Sequence, residues 1–180
     1  MKTFAYIFRL AVTLLIIAGV VALALAGVNS VTAPMIAQLN EQKTQQAIET
    51  VLPGGGELLE SFTDETGIVM AVYASDSGYA IKVAPQGFGG EIQMMVGVDK
   101  DGNVLGVSII SQAETAGLGA VIAAKTQKGE EFRSQYVGLS GELAVDKDGG
   151  VVDSITSATI SSRAVTQGVN AALACVANLG

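Results

Sequence analysis

The residues best suited to hold or bond a ligand are Ser154, Thr156, Ser157, Thr159, Ser161 and Ser162, six hydroxyls within nine positions, with Arg163 directly after them. A strongly helical C-terminus follows, so Ser161 or Ser162 reads as the N-cap of a helix from about 162 to 179. The first turn of such a helix has free N–H groups and a partial positive charge, which suit an anion, and Arg163 would add a full charge. A phosphate held there would lie within bonding reach of a hydroxyl such as that of Thr159. The alternative reading of the same composition is structural: Ser and Thr ahead of a helix are ordinary caps and turn formers.

Other chemistries are narrowed by composition. The chain of 180 residues has no His, no Trp and a single cysteine, Cys175. Triads built on His, His-ligated metals, Cys zinc sites and internal disulfides are therefore outside its reach, and a Ser or Thr hydrolase also lacks a G-x-S-x-G elbow. Two acidic turns, Asp99 to Asn103 and Asp146 to Gly150, lack the ligand set of a calcium loop and read as hairpin turns. Gly87 to Gly90 lacks the spacing and the following helix of a dinucleotide fingerprint. No catalytic residue and no metal ligand is assigned. The net charge is −7; Lys2 and Arg9 both precede Asn40, so the rest of the chain carries 17 acids against 8 bases, a balance of −9. Such a surface repels nucleic acid, and none is expected as a partner.

These groups must be positioned by a fold behind a membrane anchor. Leu10 to Val28 is uncharged, and as a helix it would span roughly 28 Å, about one hydrocarbon core. Lys2 and Arg9 flank its N-terminal end, which places the N-terminus in the cytoplasm and the acidic remainder on the extracytoplasmic side. Phe4, Tyr6 and Phe8 suit the interface. A cleaved signal peptide is the competing reading, because Ala22-Leu23-Ala24 and Ala24-Leu25-Ala26 offer small-residue cleavage patterns. The apolar run, however, exceeds the roughly 7–15 residues of a signal h-region.

Pro34 can open a second, membrane-proximal helix that stops at Pro53-Gly54-Gly55-Gly56. Four strand-like runs follow, Ile68 to Ala74, Tyr79 to Val83, Glu91 to Val98 and Val104 to Ile110, with turn signals that suit an antiparallel meander having one covered face. Gly97 hints at a bulge or a close backbone approach. A short helix is expected around Leu118 to Thr126, a strand around Glu142 to Val145, and an amphipathic stripe, Val165, Val169, Leu173 and Val176, on the last helix. Cys175 reads as a buried helix residue. The class is α+β: an N-terminal transmembrane helix followed by one extracytoplasmic domain with a mainly antiparallel sheet covered by helices. Residues 1–28 form the N-terminus and membrane span, 29–56 the proximal helix and linker, and 57–180 the ligand-binding domain.

Two motifs go further. Asp153-Ser154-Ile155-Thr156-Ser157-Ala158-Thr159 resembles the flavinylation motif of the FMN-binding domains in the G subunit of the Rnf electron-transport complex, and a similar motif occurs in the C subunit of the Na⁺-pumping NADH:quinone reductase. Glu114-Thr115-Ala116-Gly117-Leu118-Gly119 resembles the same family's E-T-P-G-L-G segment, with Ala116 in place of Pro. The resemblance extends over most of Glu57 to Asn178. It implies FMN bound covalently through a phosphoester to Thr159, with Asp153 opening the motif and Thr156, Ser157 and Ala158 as the small residues before the acceptor. Ser157 stands where the family often has Gly.

In the second motif Gly117 and Gly119 would admit a flat ring, Leu118 would pack on it, and Glu114 or Thr115 would contact its polar edge; Gly87 to Gly90 would be a turn nearby. The resemblance further implies an electron carrier within an ion-translocating ferredoxin:NAD⁺ oxidoreductase, other membrane subunits as partners, and a flavin transferase during maturation. The C subunit of the quinone reductase, a flavinylated sensor and a non-redox scaffold stand as alternatives.

Overall fold

The computed structural model describes residues 2–59, 61–64 and 66–179, with the side chains of 2–6 outside that description. The interfacial places expected for Phe4 and Tyr6, and the Lys2 side chain, therefore lie outside the described residues. The elements are α1 (Lys2–Val51), β1 (Glu57–Leu58), β2 (Val69–Ser75), β3 (Gly78–Val83), β4 (Gln93–Asp99), β5 (Val104–Ser111), a 3₁₀ turn Gly119–Ala123, α2 (Gln127–Ser134), a 3₁₀ turn Asp146–Asp148 and α3 (Thr159–Ala177). By contact the chain forms two compact units, Met1–Gln42 and Lys43–Gly180.

The first unit is a single helical segment, and among the described residues α1 is the one helix long and apolar enough to cross a membrane. Its large apolar side chains, such as Leu14, Leu15, Val20 and Leu23, are exposed within the protein, as suits a helix that faces lipid or other subunits. A fresh start at Pro34 does not occur. Pro34 lies inside α1 and forgoes only its own N–H bond, and the helix continues through the stretch expected as a separate proximal helix.

The second unit holds a five-stranded antiparallel sheet in the order β1-β2-β3-β4-β5. Its turns are built from polar side chains. At the β4–β5 corner Asp99 accepts the Asn103 side-chain amide (3.0 Å) and the N–H groups of Asn103 (2.8 Å) and Asp101 (2.9 Å), and these bonds, the Asn103 amide first, hold its carboxyl below the usual carboxylate range. The hairpin reading of 99–103 stands. That of 146–150 does not: these residues form a 3₁₀ turn, and the expected strand at 142–145 is reduced to one parallel bridge, Val145 with Val152.

Both sheet faces are covered, whereas alternation along the strands had implied one. On one face Ile81, Val83, Met94, Val96 and Val98 pack with Val165, Val169, Ala172 and Val176 of α3, so the predicted stripe is the buried one. On the other, Ala80, Met95 and Ile110 pack with Ala47, Ile48, Val51 and Leu52. The register explains this second docking. Tyr73, Ala80, Gly97 and Gly106 pair in a row across four strands, and the small residues leave a trough that receives Val51. A Cβ on Gly97 would collide with the Val51 carbonyl oxygen, and the β4–β5 register shifts there, so both expectations for Gly97 hold. The last turns of α1 thus belong to the core of the second unit, where the sequence suggests a membrane-proximal helix outside the domain.

α2 is not apparent from the sequence because it has one buried apolar side chain, Phe132, and an internal glycine. Thr126 caps it, and Arg133 Nη1 donates to the carbonyl oxygens of Ile122 (2.6 Å) and Ala124 (3.2 Å), closing the 3₁₀ turn before it. Phe132 meets Tyr136 edge to face at 5.7 Å, and the buried Tyr136 hydroxyl pairs with Thr166 Oγ1 at 2.8 Å; burial raises that phenol above its ordinary pKa. Gly97→Ala should lower unfolding free energy by about 1–3 kcal/mol and speed amide exchange in residues 44–52. Urea unfolding with exchange mass spectrometry measures both, and parental values would contradict the trough.

Candidate functional site

β5 delivers the chain to a loop, 112–118, whose first fixed point is Glu114. Its backbone N–H donates to Gln112 Oε1 at 2.5 Å, turning the carboxylate inward, where only 8 % of the residue is exposed. Oε1 accepts the N–H of Gly89 at 2.7 Å, and Oε2 accepts a short hydrogen bond from the Ser161 hydroxyl. One buried carboxylate therefore ties together the 87–90 turn, the 114–119 loop and the first turn of α3. A buried charge is tolerable only with such partners. The approach is close: a Cβ on Gly89 would strike the Ala113 carbonyl, and one on Gly119 would strike Ser161 Oγ and Glu114.

α3 begins earlier than its serines suggest. Ala158 occupies the N-cap position without a side-chain cap, Thr159 is the first helical residue, and Ser161 and Ser162 are both buried in the first turn. Neither serine caps the helix, because each hydroxyl is used sideways. Ser161 serves Glu114, while Ser162 Oγ accepts the N–H of Ile155 and donates to the Ala158 carbonyl, both at 3.0 Å. Ahead of them the chain turns through Ser157 at φ 67°, the left-handed region that glycine occupies without strain. The position where the family often has Gly is thus one where the backbone asks for it.

These three segments enclose a pocket of about 380 Å³. Phe88 lines it from the 87–90 turn; Glu114, Thr115, Leu118 and Gly119 from the loop; Ser157, Ala158, Thr159, Ile160 and Ser161 from the start of α3. Of the predicted residues, Gly117 lies in the loop at φ 76° without lining the pocket, Thr156 is exposed in the turn, and Ser162 is buried beneath it. Asp153 is exposed and contributes its backbone, held by both ends of the Gln135 amide.

Arg163 does not join the pocket. Its Nε and Nη2 donate to Asp148 at 2.7 and 2.6 Å, which raises the guanidinium pKa and lowers that of the carboxyl. It lines a separate and larger cavity of about 970 Å³, whose lining does not include Thr159. We take the smaller pocket as the candidate site because that is where the Thr159 side chain and the glycine loop converge. Phe88, 70 % exposed, and Ile160, 50 % exposed, are lining residues that the sequence motifs do not include. An aromatic set among Gly87, Gly89 and Gly90 was the available signal for the first.

Chemically, the pocket offers a hydroxyl at the N-terminus of a 19-residue helix, where the first N–H groups lack helical partners, and apolar walls from Phe88, Leu118 and Ile160. Its one carboxylate, that of Glu114, accepts a hydrogen bond from the chain on each oxygen, so it clamps the loops as well as lining the pocket. A helix N-terminus and a hydroxyl beside apolar walls suit a cofactor-holding domain, here in an α+β fold.

Residues 87–174 match the family model for the FMN-binding domain. The chain is 34 % identical to the G subunit of the Na⁺-translocating ferredoxin:NAD⁺ oxidoreductase complex of Acetobacterium woodii, across 96 % of this chain and 93 % of that one. It is 30 % identical to the G subunit of the ion-translocating oxidoreductase complex of Methanosarcina acetivorans, across 92 % of each. The chain belongs to this G-subunit family of FMN-binding domain proteins. Its fold is shared with the C subunit of the Na⁺-translocating NADH-quinone reductase of Parabacteroides distasonis, with a TM-score of 0.51 over 76 % of this chain and 89 % of that one, at 22 % identity.

Two variants probe the local geometry. Glu114→Ala leaves the Gly89 N–H and the Ser161 hydroxyl without their acceptor and should cost about 1–3 kcal/mol in chemical unfolding; a loss within error of zero would show that the carboxylate is no clamp. Ser157→Gly should raise stability by roughly 0.5 kcal/mol, relief of left-handed strain outweighing the added freedom of the unfolded chain. A destabilised glycine variant would contradict the turn geometry.

Proposed function

We propose that this chain is the membrane-anchored electron-carrier subunit of an Rnf-type ion-translocating ferredoxin:NAD⁺ oxidoreductase, with FMN joined to Thr159 Oγ1 as a phosphoester. The observation that carries this reading is the half-buried Thr159, first residue of α3, lining the same pocket as the Glu114 to Gly119 loop. The residues suit the group. A pocket of about 380 Å³ is of ligand size, backbone N–H groups at the start of α3 favour a phosphate, and Phe88, Leu118 and Ile160 are apolar faces for the ring. FMN, when bound, supplies the redox chemistry.

The chain's own part is to hold and to shield. Thr159 provides the attachment oxygen and Gly119 keeps the loop close to α3. Glu114 fixes the spacing of the pocket's three walls, leaving Thr115 as the loop side chain with a free approach to a polar ring edge. Small side chains at Ser157 and Ala158 leave the acceptor open to a flavin transferase during maturation. Covalent attachment suits an extracytoplasmic domain, where a dissociated cofactor would be lost. We place the N-terminus in the cytoplasm because Lys2 and Arg9 flank the apolar segment on that side. Residues 1–28 would then anchor the chain among other membrane subunits of the complex, and 57–180 would carry the flavin.

The purified protein should be yellow, with a denatured mass above that of the chain by FMN less one water. Thr159→Ala should remove that increment while the far-ultraviolet dichroism and the unfolding midpoint stay near parental values. A variant that keeps a covalently held flavin would refute attachment at this oxygen.

A further inference from the structure

The attachment segment has no regular secondary structure between Asp153 and Ala158, yet it is tied down closely. The Asp153 N–H donates to Gln135 Oε1 at 2.7 Å, and Gln135 Nε2 donates back to the Asp153 carbonyl at 3.2 Å, so one amide satisfies both backbone groups. The next N–H, that of Ser154, donates to Asp146 Oδ1 at 3.0 Å. The turn that supplies Asp146 also supplies Asp148, which grips Arg163 on α3 through two hydrogen bonds. It is further joined to the segment by the Asp146 N–H donating to the Val152 carbonyl at 2.7 Å. The Asp146 to Asp148 turn therefore holds the chain on both sides of Thr159, five residues before it and four after.

We propose that Gln135 and the Asp146 to Asp148 turn are positioning residues, which lock residues 152–155 and the first turn of α3 into one frame and so give the Thr159 hydroxyl, and the group it carries, a single location. The site needs such a frame because Thr159 lies at a helix end with no side-chain cap, after a residue in the left-handed region. Ser162 and Glu114 fix α3 from the inside. Gln135 and Asp146 fix the approaching chain from the solvent side and Asp148 holds Arg163 on α3, so removing the first two should loosen the segment without unfolding the core. Hydrogen bonds from Ser154 and Lys147 hold the Asp146 carboxyl well below its ordinary range, so the frame is intact at neutral pH. As a flavin-positioning device it rests on the proposed attachment at Thr159; as a backbone frame it does not.

The test uses the full chain in detergent, with and without flavin, as the parent, the double variant Gln135→Met with Asp146→Ala, and Gln135 retained with Asp146→Asn. In the double variant amide exchange at 153–154 should rise roughly tenfold or more, as suits the loss of three ordinary hydrogen bonds, while the strands and the middle of α3 keep parental rates. In flavin-bearing protein the fluorescence anisotropy should gain a fast component. Asp146→Asn should restore the Ser154 protection, because an amide oxygen accepts the same N–H. Parental exchange at 153–154, a uniform rise across the domain, or a freed segment with unmoved anisotropy would each overturn the proposal. A parent without covalent flavin would refute the Thr159 linkage alone, and exchange would still decide the frame.

Discussion

The Glu114 carboxylate is the constraint on which the site depends. It is almost fully buried, and its two oxygens accept hydrogen bonds from chain segments 25 and 47 residues distant. The cost of leaving such a group unpaired exceeds that of almost any neutral contact, so the Gly89 N–H and the Ser161 hydroxyl are held where the carboxylate needs them. Everything that lines the pocket follows: Phe88 rides on the turn that carries Gly89, Leu118 and Gly119 on the loop that carries Glu114, Thr159 and Ile160 on the helix that carries Ser161. Small residues at 89 and 119 are the steric counterpart of this electrostatic demand.

The sheet makes that clamp possible by presenting its elements from fixed directions. β5 aims the Glu114 loop, and the turn before β4 aims Phe88. α3 lies over the face bearing Val96 and Val98 and is held there by Val165, Val169 and Val176. The opposite face, with its Gly97 and Gly106 trough, packs the last turns of α1 into a second apolar cluster. Residues 47–52 at the end of α1 are therefore part of the folded domain and not a slack tether.

Family membership and site geometry bear on different parts of the functional reading. The relationship to G-subunit proteins over nearly the whole chain, and the match of 87–174 to the FMN-binding domain, identify what kind of domain this is. The geometry says how its residues share the work. Thr159, Leu118 and Gly119 face the pocket, Glu114 and Ser161 brace it, Ser162 supports the turn from below, and Arg163 is committed to Asp148.

Much of the fold was legible locally. Four strands, their antiparallel order, the stripe on α3 and the apolar N-terminal segment follow from periodicity and turn chemistry, which act over a few residues. Thr159 and the glycine loop were legible as parts of motifs, because a close approach of chain segments restricts residue type at fixed spacing. Tertiary structure alone decided the rest: that Ser161 and Ser162 are buried supports and not caps, that Arg163 turns to Asp148, that Gln135 and Asp146 hold the backbone of residues 153–154, and that Phe88 and Ile160 wall the pocket. α2, with a single buried apolar side chain, and the second covered face of the sheet belong with these. In each case the deciding partner lies far along the chain, and a hydroxyl, amide or carboxylate has no preferred direction until the fold brings it one group that would otherwise go unsatisfied.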